Sequence, residues 1–338
     1  MTRRDFPLAA ALLAGILAAS ELAGCGGGST STSAAGPTPT GSSSSGGILY
    51  VTEGGSNTTD AVDGTTGKII ATIPVGKGPH GCTASSDGSQ IFVLDNAVGD
   101  VSVINSATQA VVGSPIAIGS SPAQSVTNPN GSKIYVVDEG SGMLATIDPS
   151  TDTKGPSVSI GNVPIGLAIN ASGTTLYVVN VADEDVVSVD ASTLAVISHA
   201  KLPFVPDGVA LNAAGTSLYI LNYSGGSVGV VNAATLATVA TIPVGTEPDG
   251  IVVQPHGSNV YVAIQNDDVV TVINSATNTL ITKIPVGFDP GAIAASADGS
   301  KVYVANFSAA TVSVIDTSTN TVTQTIPVGL GPDGICIK

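Results

Sequence analysis

The chain has no tryptophan, and its only arginines are Arg3 and Arg4 near the N-terminus. Without arginine, the body of the protein lacks the side chain best suited to bidentate contact with phosphate or guanine. Ten basic residues stand against 25 acidic ones, and the net charge of −15 repels both a nucleic-acid backbone and an anionic lipid surface. Nucleic acid is therefore not an expected partner. Cysteine is scarce too, with three residues in 338, and no Cys-x-x-Cys-His haem site or paired Cys/His zinc spacing occurs. The absence of tryptophan also argues against quinone stacking and against a carbohydrate platform. No helix-length amphipathic pattern follows the N-terminal segment, whereas glycine reaches 41 residues. That combination favours many short strands joined by tight turns.

Residues 1–24 read as a targeting segment and not as part of the fold. Arg3 and Arg4 provide the positive charge, and residues 6–20 are almost wholly apolar, a run short of the roughly 20 residues needed to span a bilayer. The segment ends in Leu22-Ala23-Gly24-Cys25, which resembles a bacterial lipobox. The resemblance implies cleavage before Cys25 and a diacylglycerol on its sulfur. Residues 2–6 also resemble a twin-arginine export motif, with Pro7 departing from the pattern, so both export routes stay open. Residues 25–47 hold the lipidated cysteine and an uncharged Gly/Ser/Thr/Ala/Pro stretch. Such a spacer buries no core and reaches roughly 25 Å on average. The expected address is the cell envelope, with membrane contact through the lipid alone.

From residue 48 onward the sequence repeats. A proline recurs at Pro79, Pro122, Pro164, Pro206, Pro248, Pro290 and Pro332, at a first interval of 43 residues and then of 42. An aromatic residue recurs in phase at Tyr50, Phe92, Tyr135, Tyr177, Tyr219, Tyr261 and Tyr303. A third marker, Asp or Asn, closes a Val-rich run at Asp63, Asn105, Asp148, Asp190, Asn232, Asn274 and Asp316. Each unit divides into four apolar runs; after Pro290 they cover 292–296, 301–305, 311–315 and 322–328. Four strands every 42 residues is the period of a propeller blade. The expected fold is an all-β, seven-bladed β-propeller over residues 48–338 with four antiparallel strands per blade. Its last unit keeps only a first strand, at 334–338, which is expected to pair with 48–52 in a composite blade and so remove open edges.

Val302-Tyr303-Val304-Ala305-Asn306, the Ile-Pro-Val-Gly segment at 326–329 and Pro332-Asp333-Gly334 resemble the YVTN-type β-propeller repeat. The resemblance covers residues 48–338 and is specific for fold but not for activity, since this family spans surface-layer and exported proteins and its propeller relatives include enzymes. Lactonases and lyases of related folds use clustered Glu, Arg or His, a set this chain lacks.

Of the three histidines, His256 sits in a hairpin turn and His199 in an outer-strand run. His80 follows Pro79 at a position that elsewhere holds Asp207, Asp249 and Asp333. Two roles stay open for these four side chains: capping of the backbone beyond them, and acid–base chemistry at a channel mouth. Cys82 and Cys336 fall on first strands of the two blades that flank the closure. Buried free thiols are the expectation, with a ring-locking disulfide as the alternative.

In a propeller, the turns from fourth to first strand and from second to third strand open on one face. Four aromatics outside the repeat phase, Phe204, Tyr223, Phe288 and Phe307, all fall in loops of that face. Acidic loops gather there as well, among them Asp183-Glu184-Asp185 and Asp267-Asp268. Exposed rings among carboxylates suggest a contact site; the alternative is that the rings cover blade edges and the acids serve solubility. The expected function is a non-enzymatic binding or scaffold module, monomeric, with an unidentified protein or small-molecule ligand. The competing expectation is a lyase- or lactonase-type enzyme centred on His80. Calcium is a further option for the carboxylates, although no EF-type loop spacing is present.

Overall fold

A computed structural model describes residues 47–338. Cys25, the targeting segment and most of the spacer lie outside the described residues. From Ile48 onward the chain forms seven antiparallel sheets, each built around four consecutive strand positions. Counting from Pro79, blade 6 comprises Pro290–Ala295, Lys301–Asn306, Thr311–Asp316 and Thr321–Pro327, within two residues of the ranges read from the sequence. Blade 1 differs in its outer strand, which is broken into Ala110–Val111 and Ile116–Ala117. A short 3-10 turn at Gln265–Asp267 is the one helical element among the described residues.

The composite blade forms as expected. Pro332–Ile337 pairs antiparallel with Ile48–Glu53, which continues into Thr58–Asp63 and Ile69–Pro74. In each blade the second strand is buried on both faces, because each face packs against a neighbouring blade. The core is accordingly a ring of inter-blade layers: Tyr135, Val137 and Leu144 of blade 2 pack with Leu176, Val178 and Val187 of blade 3. Period-2 alternation therefore vanishes from the middle strands, which read as continuous apolar runs.

The repeat markers are the points where blades hold one another. At the bottom face, the phase tyrosine reaches the turn between third and fourth strands of the next blade. Tyr135 donates to the Ala191 carbonyl (2.7 Å), Tyr219 to Asn278 Oδ1 (2.7 Å) and Tyr261 to Asn320 Oδ1 (2.8 Å). Those turns are shaped by the third marker. Asp190 Oδ1 accepts the Ser192 and Thr193 amides at 3.0 and 2.8 Å, and Asp316 accepts those of Ser318 and Thr319 at 2.9 and 3.2 Å. These are Asx turns, and their donors hold the Asp190 carboxyl down at about 2.

At the top face a second clasp uses the residue that ends the second strand: Glu53, Asp95, Asp138, Asn180, Asn222, Ile264 and Asn306. Most of these polar side chains reach the loop arriving from the preceding blade. Asp138 accepts the Ser120 and Ser121 amides (3.0 and 2.7 Å), Asn306 the Gly287 amide (3.2 Å) and Glu53 the Gly329 amide (2.7 Å). A Cβ on Gly119 or Gly329 would overlap the Asp138 or Glu53 carboxylate. The glycine of the Val-Gly or Ile-Gly pair is thus required by close approach. Tyrosine and asparagine in Tyr303-Val304-Ala305-Asn306 are therefore the bottom and top clasps of one strand.

The two cysteines correct an expectation. Cys82 and Cys336 form a disulfide, with Cα atoms 5.6 Å apart, not a pair of free thiols. Opposite parity along first strands left two arrangements, and the packing of blade 7 on blade 1 is the one that turns the two side chains toward each other.

Candidate functional site

The residue after each repeat proline stands where the inner strand of each blade begins, on the top face. In ring order from blade 1 these are His80, Ala123, Ile165, Asp207, Asp249, Gly291 and Asp333. The inner strands approach closely here. A Cβ on Gly334 would overlap the His80 carbonyl, and one on Gly250 would overlap the Gly291 carbonyl. Pro-Asp-Gly is thus a unit in which the glycine lets adjacent inner strands touch. His80 Nδ1 lies 3.2 Å from the Ala123 carbonyl, and its Nε2 lies 4.0 Å from Asp333 Oδ1. Asp207 is buried, whereas Asp249 and Asp333 are half-buried.

The four off-phase aromatics do not share one environment. Phe204 packs in the core layer between blades 3 and 4, with its ring over Gly229 in the strand Ser227–Asn232. Equivalent positions in the other blades carry a side chain: Asp60, Ser102, Ala145, Val187, Thr271 and Ser313. Blade 4 has a vacancy there, and Phe204 fills it. We expect Phe204→Ala to lower unfolding stability by about 2 kcal/mol, read from urea denaturation; a loss under about 0.5 kcal/mol would show that the ring fills nothing.

Tyr223 is half-buried and starts a polar chain across three blades. Its hydroxyl donates to Gln265 Oε1 (2.9 Å), Gln265 Nε2 donates to Asp289 Oδ1 (2.6 Å), and Ser308 donates to Asp289 Oδ2 (2.7 Å). Asp268 accepts the Asp289 amide (2.9 Å), and Asp267 pairs with Lys283 (3.4 Å). The structure thus gives Asp268 a backbone partner and Asp267 a lysine. The sequence offers no sign of the linking residues Gln265 and Asp289.

Phe288 is the most exposed large apolar side chain among the described residues, at 69%, and Leu330 follows at 67%. They occupy the same position, two residues before the repeat proline, in successive loops. The other loops carry Lys77, Ser120, Asn162, Thr246 and the inward-turned Phe204 there. Phe307 lies between them, half-buried, with its ring edge beside Gly331. Leu330 was not singled out from the sequence because only aromatics were compared with the repeat; testing every position against its phase partners would have found it. Among the described residues no group of three or more His, Cys, Asp or Glu side chains is arranged to hold a metal ion.

The chain matches no family model and no curated protein. It does resemble solved structures. Hydrazine synthase from Kuenenia stuttgartiensis is 20% identical with a TM-score of 0.69, over 76% of this chain and 88% of that one. A functionally unknown protein from Desulfotomaculum acetoxidans is 17% identical with a TM-score of 0.73, over 86% and 98% of the two chains. A proposed 6-phosphogluconolactonase from Bacteroides fragilis is 15% identical with a TM-score of 0.73, over 88% and 99%. At such identities the likeness establishes the propeller fold and nothing about activity.

Proposed function

We propose that this chain is an exported propeller of the YVTN type, anchored through Cys25, which binds a partner at the cell envelope with its top face. The observation that carries this reading is the exposure of Phe288 and Leu330 at one repeat position of that face. Exposed apolar patches rimmed by polar residues mark contact sites. The disulfide between Cys82 and Cys336 supports export, since such bonds persist in oxidising compartments. The propeller acts as a monomer in this reading, with the lipid as its sole membrane contact.

A second reading, a lyase- or lactonase-type enzyme, draws on the 4.0 Å approach of His80 to Asp333. A histidine beside a carboxylate is an acid–base pair. No arginine in residues 48–338 is available to hold an anionic substrate or a developing oxyanion, so the binding reading is favoured.

A photo-crosslinking side chain at position 288 of the full-length protein, in intact envelopes, tests the choice. A discrete adduct is expected from position 288, absent from the also exposed outer-strand position 197 and lost when Leu330→Ser is added. Identical adducts from both positions, or none from 288, would reject the top face as the contact surface.

A further inference from the structure

The acidic excess and the exposed apolar side chains meet on one arc of the top face, across blades 5, 6 and 7. Phe288, Phe307 and Leu330 provide its apolar part. Asp289 shares the loop of Phe288, Asp268 and Glu247 lie on the two other top loops of blade 5, and Asp249 and Asp333 start the inner strands of blades 5 and 7. Among the described residues one lysine stands beside these loops, Lys283 near the top end of the strand Thr279–Pro285, and it is paired with Asp267. Lys77 stands on the next loop and Lys201 on the top side of blade 3 beside Asp185, while Lys68, Lys133, Lys154, Lys301 and Lys338 lie at or next to the bottom ends of the strands.

The arc is also rigid. Gly55 and Gly54 donate backbone bonds to the Leu330 and Gly331 carbonyls (3.1 and 3.0 Å), and the Leu330 amide donates to Ser56 Oγ (3.3 Å). Phe288 precedes Asp289, whose carboxylate is held by Gln265 and Ser308 and whose amide is held by Asp268. Apolar anchors presented on hydrogen-bonded loops lose little freedom on binding.

Resting on the binding function proposed above, we infer that this arc docks a cationic amphipathic peptide segment of a partner protein, one carrying lysine or arginine around an aliphatic or aromatic anchor. Charge complementarity selects this occupant. An anionic lipid surface and the acidic top face of a second copy are both repelled, and a purely apolar segment would leave the carboxylates to be desolvated without compensation. The anchor residue packs on Phe288 and Leu330, and its cationic neighbours reach the surrounding carboxylates.

The full chain in detergent micelles is titrated with three synthetic peptides of equal length, Lys/Leu, Glu/Leu and Ser/Leu. Binding of Lys/Leu is expected to be at least about tenfold tighter than that of Glu/Leu and to weaken with added salt. It should fall by about tenfold in the Phe288→Ser, Leu330→Ser double variant and be unchanged by Ile197→Ser. Equal loss of Lys/Leu and Glu/Leu binding in the double variant would leave the apolar face standing and overturn the cationic class. Lys/Leu binding that ignores the double variant would overturn both, and failure of all three peptides to bind would overturn the inference, with the crosslink from position 288 judging the face separately.

Discussion

Breaking the Cys82–Cys336 bond is expected to lower unfolding stability by about 5 kcal/mol, the largest effect of any two-residue change we consider. The bond spans 254 residues, almost the whole propeller, and loop-closure entropy in the unfolded chain grows with the logarithm of that span. It also sits where covalent continuity is missing. The other blades are each one run of chain, but blade 7 joins the C-terminal strand Pro332–Ile337 to Ile48–Glu53 by backbone pairing alone. The disulfide ties that C-terminal strand to the inner strand of blade 1, Pro79–Ala84. Urea denaturation of the Cys82→Ala, Cys336→Ala variant measures the effect, and reduction of the folded wild type provides a second route if that variant fails to accumulate. A cost below about 1 kcal/mol by both routes would mean that strand pairing closes the ring unaided.

The period, the blade count and the composite closure were legible because propeller blades are set by local rules. Seven copies of one strand pattern leave little choice of architecture, and Asx turns such as those at Asp190 and Asp316 announce themselves within four residues. The functions of the markers were less legible, because they act between blades. Asp138 works on Ser121, and Tyr135 on Ala191, pairs separated by 17 and 56 residues in sequence. The free-thiol expectation failed for a similar reason: parity allowed Cys82 and Cys336 to face each other or to face apart, and only the packing of blades 7 and 1 decides.

The candidate site was legible in outline and mixed in detail. Subtracting the repeat isolated Phe288, which the structure leaves exposed. The same subtraction also selected Phe204, because it could not see that Gly229 had lost a side chain and left room for the ring. A deviation at one position is informative only when the position it packs against is compared as well. His80 and Asp333, which come from opposite ends of the sequence, are neighbours because the ring closes between them. Their approach depends on tertiary closure and carries no local signal.

The closing blades also carry the protein's response to pH. Glu53 and Asp95 occupy the top clasp where Asn180 and Asn306 serve elsewhere, and both are fully enclosed, at 1% and 0% exposure. Burial, followed by contact with Asp60, raises the Glu53 carboxyl to about 7; burial, followed by the Asp100 charge and offset in part by a Ser102 hydrogen bond, raises Asp95 to about 7. Asp95 Oδ1 and Asp100 Oδ1 are both buried with no donor among the described residues, so a proton on Asp95 satisfies the pair. With folded values above the ordinary carboxylate range, the native state binds more protons than the unfolded state between about pH 4 and 7. This contribution to stability is full below that window, falls as pH rises through it and is flat above. The bottom-face turns act in the opposite sense lower down: Asp87, Asp190 and Asp298, held near 2, contribute stability that is lost as pH falls below the ordinary carboxylate range. Stability is thus expected to peak near pH 4 and to drop by a few kcal/mol by pH 8. In the Glu53→Gln, Asp95→Asn variant the drop should largely vanish, because an amide needs no proton to fill the clasp. Melts of both proteins from pH 4 to 9 read this directly, and a wild type that grows more stable between pH 5 and 8 would show that the two buried carboxyls are ionised in the fold.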